Sequence, residues 1–284
     1  MPLVVTDLYR YPVKSCRGQQ LRDAAVEPWG LAGDRRWMVV DLGGEVVTAR
    51  ERPPMVLVTP HLRNGALLLT GPGRPDLTVP VPPGDELIPV TVWDSKLLAA
   101  PAGPAADAWF SEVVGEPVRL VYLDDPTRRP TNPDYSRAGD RVSFADGYPL
   151  LLTAESSLGE LNEQIGAGPR AIEGPLPMRR FRPSVVVAGA APWAEDAWRV
   201  LRIGDVVFRS VKGCDRCVLT TIDPDTAAKG KEPIATLARS RSWDGKVWFG
   251  VNLIPDSPPR EGSIRVGDRV EVLERDDRAD GPLR

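Results

Sequence analysis

The chain has 284 residues, 42% apolar and 26% charged, with a formal net charge of −3, the balance of an ordinary globular protein of one large or two smaller domains. That charge excludes the global basic excess of a nucleic-acid binder, and no stretch reaches the ~18 apolar residues of a membrane span. The opening MPLVVTDLYRYPVKSC lacks the charged start and unbroken apolar run of a signal peptide, and three cysteines suit a reducing compartment, so a cytoplasmic protein is expected.

In chain order, the first hundred residues read mostly as β. LVVTDLYRYP, RWMVVD, EVVTA, MVLVTP, ALLLT and LIPVTVWD are short, rich in Val, Ile and Leu, and punctuated by Gly, Pro and Asp. GGE at 43–45 and RNG at 63–65 mark hairpins, and the spacing suggests a barrel or sandwich. His61, the single histidine, stands in TPHLRNG and reads as a surface turn residue. GPAADAWFSEVVG, 103–115, predicts a helix, because Ala106, Trp109, Phe110 and Val113 follow helical spacing. LDDPTRRPTNPDYSRAGDR, 123–141, carries three prolines and many charges; it reads as a linker or mobile loop, with Arg128 and Arg129 solvated.

The second half is mixed. TAESSLGELNEQIG, 153–166, predicts a helix with Thr153 as N-cap and Leu158, Leu161 and Ile165 on one face. SVVVAG, WRVLRIG, DVVFRSVK, VWFGVNLIP and SIRVGDRVEVLE read as strands, and EPIATLARSRS as a helix with Pro233 near its start. The fold class is therefore mainly β with some α, an α+β protein.

GCDRCVLTTIDPDT holds Cys214 and Cys217. A structural zinc site needs four ligands, and only Cys16 and His61 remain beyond this pair. The β-branched VLTTI that follows favours a strand over the helix of a thioredoxin-type motif. A redox disulfide, two inert cysteines and a thiolate offered to a soft metal all stay open. Arg216 and Lys212 beside the pair can stabilise a thiolate. Upstream, YPVKSCRG brings Lys14, Ser15 and Arg17 onto a loop after the first strand. GDRRW adds Arg35 and Arg36, and MRRFRPS adds three more arginines. Each is by itself a solvated charge cluster; together with a thiolate they suggest one anionic ligand.

The ordered combination YPVKS, GDRRW, VTARERP, FRPS, CDRCVLTTIDPDT, FGVN and GDRV resembles the MOSC-domain proteins, in particular the branch of the amidoxime-reducing components. The resemblance implies a β-barrel N-terminal domain over 1–124 and a molybdenum-cofactor-binding MOSC domain over 125–284. It implies Cys217 as the metal ligand and Lys14, Ser15, Arg35 and Arg182 as contacts of the cofactor's phosphate and pterin end. Ser184, Asp215, Arg216 and Asn252 are further cofactor positions, although some relatives carry Asn where Ser184 stands. Asp146, in ADGYPLLL, falls on an acidic position near the metal and is expected to assist proton delivery.

The activity implied is reduction of small N-hydroxylated substrates by a monomer. Its electrons come from a separate flavin, haem or iron–sulfur protein, because the chain has no cysteines for a fused cluster. The alternative is a carrier of the cofactor or of sulfur on Cys217. At family level the resemblance also carries an association with pyridoxal phosphate.

Overall fold

The computed structural model describes residues 2–256, 262–277 and 280–284. The strand-rich reading holds. One large sheet runs, in spatial order, through Val270–Arg275, Trp198–Ile203, Val206–Asp215, Lys246–Pro255, Leu150–Ala154, Val185–Ala188, Val4–Arg10 and Gln19–Leu21, with Ser242–Trp243 attached to Lys246–Pro255. Its pairs are antiparallel except Leu150–Ala154 with Val185–Ala188. A parallel pair needs a crossover, and the helix Glu155–Gly166 begins it. That helix buries Leu161 and Ile165 against Phe181, Leu237 and Phe249, with Leu158 half-buried beside them. Thr153 is not its N-cap. LLLTA is paired on both sides, which keeps Thr153 in the strand, and Ala154 precedes the helix without a side-chain cap.

The first half holds a four-stranded sheet, ordered Trp37–Asp41, Val118–Tyr122, Ser95–Pro101, Ile88–Val92, and a meander of Thr59–Arg63, Ala66–Thr70 and Leu77–Pro80. The helix Pro104–Val114 closes this core with Ala106, Trp109, Phe110 and Val113, as its spacing predicts. Two expected strands differ. Met55, Val56 and Leu57 belong to a 3-10 turn, Pro53–Leu57, because Pro53 and Pro54 lack ladder donors, and Val58 follows it in extended backbone. EVVTA makes only isolated bridges, Val40 with Val46 and Glu45 with Thr91. His61 lies on Thr59–Arg63, its Nδ1 3.2 Å from Gln19 Nε2; the turn itself is Asn64–Gly65.

Four apolar clusters result, and between the two largest the chain does not divide at one point. Val5 and Leu8 belong to the core of the second half, whereas Val13 and Cys16 belong to that of the first. Asp23–Glu27 also pairs with Ser263–Arg265 near the C-terminus. The loop Tyr11–Gly18 thus crosses the seam. So does the segment 123–141, which is not a free linker: Pro126 and Arg129 are buried within it.

Candidate functional site

A cleft of about 810 Å³ opens at this seam. Eight cationic side chains and three carboxylates line it, although the chain as a whole is acidic. The sequence-predicted residues Lys14, Ser15, Arg35, Asp146, Arg182, Asp215, Arg216, Cys217 and Asn252 all reach it. Ser184 does not. It is fully buried, with its Oγ accepting from Leu151 N–H at 3.3 Å and its own N–H donating to the Leu151 carbonyl. The expected cofactor contact at Ser184 is therefore corrected to a strand-to-strand tie.

The crossing loop fixes the first donors. Lys14 N–H bonds the Trp37 carbonyl, and Cys16 N–H turns back to Val13, leaving Ser15 at φ 70°. Ser15 Oγ accepts from Ala49 N–H at 3.1 Å, so its hydroxyl proton is free for the cleft. Lys14 Nζ donates to the Phe144 carbonyl at 2.8 Å and to Asp146 Oδ1 at 2.5 Å. Burial pushes Lys14 down to about 8; Asp146 opposes this, while Arg129 and Arg35 reinforce it. Asp146 is itself 60% open to the cleft and also meets Arg50 at 3.0 Å. Desolvation works to raise its pKa, but Lys14, Arg50 and Arg35 outweigh that and hold the carboxyl well below the usual range.

Arg35 and Arg182 share one aromatic platform. Each guanidinium carbon lies 4.3 Å from the centre of the Tyr11 ring. Asp34, buried, holds Arg35 at 2.6 Å and accepts from Tyr11 N–H at 2.7 Å. Arg182 bonds only the Cys16 carbonyl, at 2.8 Å, and has no ion-pair partner among the described residues. Burial lowers its pKa, Tyr11 opposing. Both arginines have left-handed backbones, φ 45° and 56°. Arg182 is half-buried, and a guanidinium drawn out of water without a carboxylate gains from an anion that completes it.

The cysteine turn occupies another part of the wall. The strand Val206–Asp215 ends just before it, and Cys217 begins a 3-10 turn, Val218–Thr221, where the sequence suggested a strand. Thr220 Oγ1 folds back on the Cys217 carbonyl and Thr221 Oγ1 on that of Val218, which favours the turn. Asp223 then accepts from Asp225 N–H and Thr226 N–H, the turn that Asp-Pro-Asp predicts. Arg216 reaches Cys214, not Cys217: its Nη1 is 2.7 Å from Cys214 Sγ, and its Nη2 donates to the Phe181 carbonyl. Burial raises the Cys214 thiol, Arg216 opposing. Asn252 donates to the Gly213 carbonyl at 3.1 Å, and Asp215 faces Lys246 at 3.4 Å.

Only part of each basic cluster enters the cleft. Arg17 and Arg179 turn to Asp225, Arg180 to Asp223, and Arg36 to the carbonyls of Leu123 and Asp124. The cleft instead recruits Arg50, Trp93 and Arg129, which the sequence reading did not assign. Arg129 is 3% exposed and donates to the carbonyls of Ser143, Ala145 and Asp146. The adjacent arginines of PTRRP gave no sign that one pairs with Asp124 while the other is buried. Arg50 was within reach, since it stands in VTARERP.

The donor set fits an elongated anionic group with a thiophilic metal: Lys14, Ser15, Arg35 and Arg182 offer N–H and O–H donors, and Cys217 offers sulfur to the same cleft.

Fold and cleft together define an α+β protein whose two β-rich halves enclose a seam lined by cationic side chains, with a cysteine in its wall. Residues 3–117 match the MOSC N-terminal beta barrel domain, and residues 139–271 match the MOSC domain. The chain is 34% identical to mitochondrial amidoxime-reducing component 1 of Homo sapiens, over 95% of this chain and 82% of that protein. It is 33% identical to mitochondrial amidoxime reducing component 2 of Homo sapiens, over 94% and 82% respectively. It is also 33% identical to a molybdenum cofactor sulfurase of Oryza sativa subsp. japonica, over 86% of this chain but 31% of that protein. The chain belongs to the family of MOSC-domain proteins.

Proposed function

We propose that the cleft holds a molybdenum cofactor and that the protein reduces N-hydroxylated compounds to amidines or amines. The observation that carries this reading is that one cleft is lined both by Cys217 and by eight cationic side chains, of which Arg182 and Arg129 are bonded to carbonyls and not to carboxylates. The relatives named for amidoxime reduction support it. When bound, the cofactor supplies a two-electron couple at molybdenum for removal of the substrate oxygen. The overall balance is R–N–OH plus two electrons and two protons, giving R–NH and water. A separate flavin, haem or iron–sulfur protein delivers the electrons to the monomer.

In this reading the chain's residues bind, orient and protonate. Arg182 and Arg35 grip the phosphate end on the Tyr11 platform, and Ser15 donates its hydroxyl. Cys217 would hold the metal through its sulfur. Asp146 is ionised at neutral pH, so it accepts hydrogen bonds and orients an N–H-bearing substrate. The transferable proton sits on Lys14 Nζ, 2.5 Å away, whose pKa of about 8 suits proton delivery near neutrality. The expected proton-delivery role of Asp146 thus passes to the pair.

A second reading, a carrier of cofactor or sulfur on Cys217, draws on the match to part of the rice sulfurase. One experiment separates them. Holo-protein with an artificial low-potential donor should turn over an amidoxime, and Cys217→Ser should lose at least about 100-fold in rate, on the scale of losing an essential reacting group. Cofactor transfer to an apo-acceptor without turnover would favour the carrier; full activity in Cys217→Ser would remove the ligand assignment.

A further inference from the structure

Among the described residues, eight that are not glycine have a left-handed backbone, and four of them line the cleft: Ser15, Arg35, Trp93 and Arg182. For three, the strain aims a hydroxyl or guanidinium at the anion site. Trp93 has no such polar reason. It stands in the two-residue turn Trp93–Asp94, between the paired residues Val92 and Ser95, with φ 54°. Turns this short favour Gly or Asn where φ is positive, and a bulky side chain there is an outlier. Strain of this kind clusters where the surrounding structure and the function require it.

The placement of the ring supplies that requirement. Trp93 is 38% exposed, on the wall contributed by the first half. Its ring centre lies 4.4 Å from the Arg50 guanidinium carbon and 5.2 Å from Lys14 Nζ. Those two cations are the ones that hold Asp146. The indole is therefore held by the two cations that fix the acid which, in the proposed reaction, faces the substrate, and it contributes to the lining of the cleft.

We propose that Trp93 determines specificity, stacking against planar, delocalised N-hydroxylated substrates such as aryl amidoximes and discriminating against small aliphatic hydroxylamines. An indole face attracts planar π systems and, through its quadrupole, the amidinium product. This inference rests on the reductase reading.

The test uses holo-protein with an artificial reductant, benzamidoxime and N-methylhydroxylamine as substrates, and benzamidine binding by calorimetry without turnover. Trp93→Gly relieves the left-handed strain, which offsets part of the packing lost with the indole, so it should fold and retain its molybdenum. Its KM for benzamidoxime and its Kd for benzamidine should each rise about tenfold, the scale of one lost aromatic stack. Its kcat, and its KM for N-methylhydroxylamine, should stay within about twofold, and Trp93→Phe should restore most of the loss. Equal changes for both substrates, unchanged benzamidine affinity, or no benzamidine binding by wild type would overturn the role of Trp93. Failure of wild type to reduce either substrate, with benzamidine binding still dependent on Trp93, would instead count against the reductase reading alone.

Discussion

Lys14 Nζ lies 2.5 Å from Asp146 Oδ1 and 2.8 Å from the Phe144 carbonyl, so one ammonium fastens the seam-crossing loop to a loop of the second half. The pair sets a pH dependence whose sign follows from each partner. Lys14 is pushed down to about 8 by burial, against 10.5 for an ordinary lysine. Between those values the unfolded chain binds more protons than the folded one, so the stability contributed by this group rises with pH from about 8 to about 10.5. On the acid side the depressed Asp146 contributes fully above 3.8 and loses its contribution as pH falls through its folded value. Urea denaturation of cofactor-free protein at pH 7 and pH 10 should show wild type gaining on Lys14→Met. A constant difference between them would contradict the buried, depressed lysine.

Arg129 and Lys14 between them bond four consecutive carbonyls, Arg129 taking those of Ser143, Ala145 and Asp146 and Lys14 that of Phe144. Arg129→Met removes a buried cation and leaves three acceptors without it. It should lower stability by about 3 kcal/mol, as expected for breaking a buried charged network. Arg129→Lys should recover less than half of this, since one ammonium cannot span the same three carbonyls. Chemical denaturation measures both, and equal stability of wild type and Arg129→Met would show that the loop holds its shape unaided.

These two cations show where the sequence was legible and where it was not. Lys14 stands in YPVKS, a stretch whose turn chemistry and family resemblance both point to the site. Arg129 stands in a charged, proline-rich run whose local composition is that of a linker; its burial arises from long-range contacts that no local pattern encodes. Strand identity was readable from β-branched runs such as SVVVAG and VWFGVN. It failed where pairing or proline intervened, at Thr153 and at Pro53–Leu57. The basic clusters were visible as charge, but the direction of each guanidinium was not. Arg35 and Arg36 are neighbours, and they serve opposite sides of the backbone.

Ser184 gives a case in which sequence and geometry predict different outcomes. The residue is fully buried and its Oγ accepts from Leu151 N–H at 3.3 Å. Ser184→Ala should cost about 1 kcal/mol, the worth of a buried neutral hydrogen bond. Cofactor content per chain should not change. Loss of molybdenum without loss of stability would restore Ser184 to the cofactor's contacts and contradict its placement away from the cleft.

Tyr11 is the residue on which the anion grip depends most indirectly. Its ring is 2% exposed, with Arg35 and Arg182 each 4.3 Å from its centre, and its hydroxyl donates to the Pro183 carbonyl at 3.1 Å. Asp34 pairs with Arg35, whereas Arg182 makes no ion pair among the described residues, so the ring orients both arginines and leaves the Arg182 charge available. Tyr11→Phe keeps the ring and loses one hydrogen bond. It should reduce stability by about 1 kcal/mol and leave cofactor retention within about twofold. Tyr11→Leu loses the platform, and retention after gel filtration should fall about tenfold, the scale of two weakened cation–π contacts. Molybdenum and pterin per chain, read beside the melting temperature, distinguish the two effects. If Leu and Phe variants retain cofactor equally, the arginines are held by Asp34 and the Cys16 carbonyl alone, and the ring is only packing.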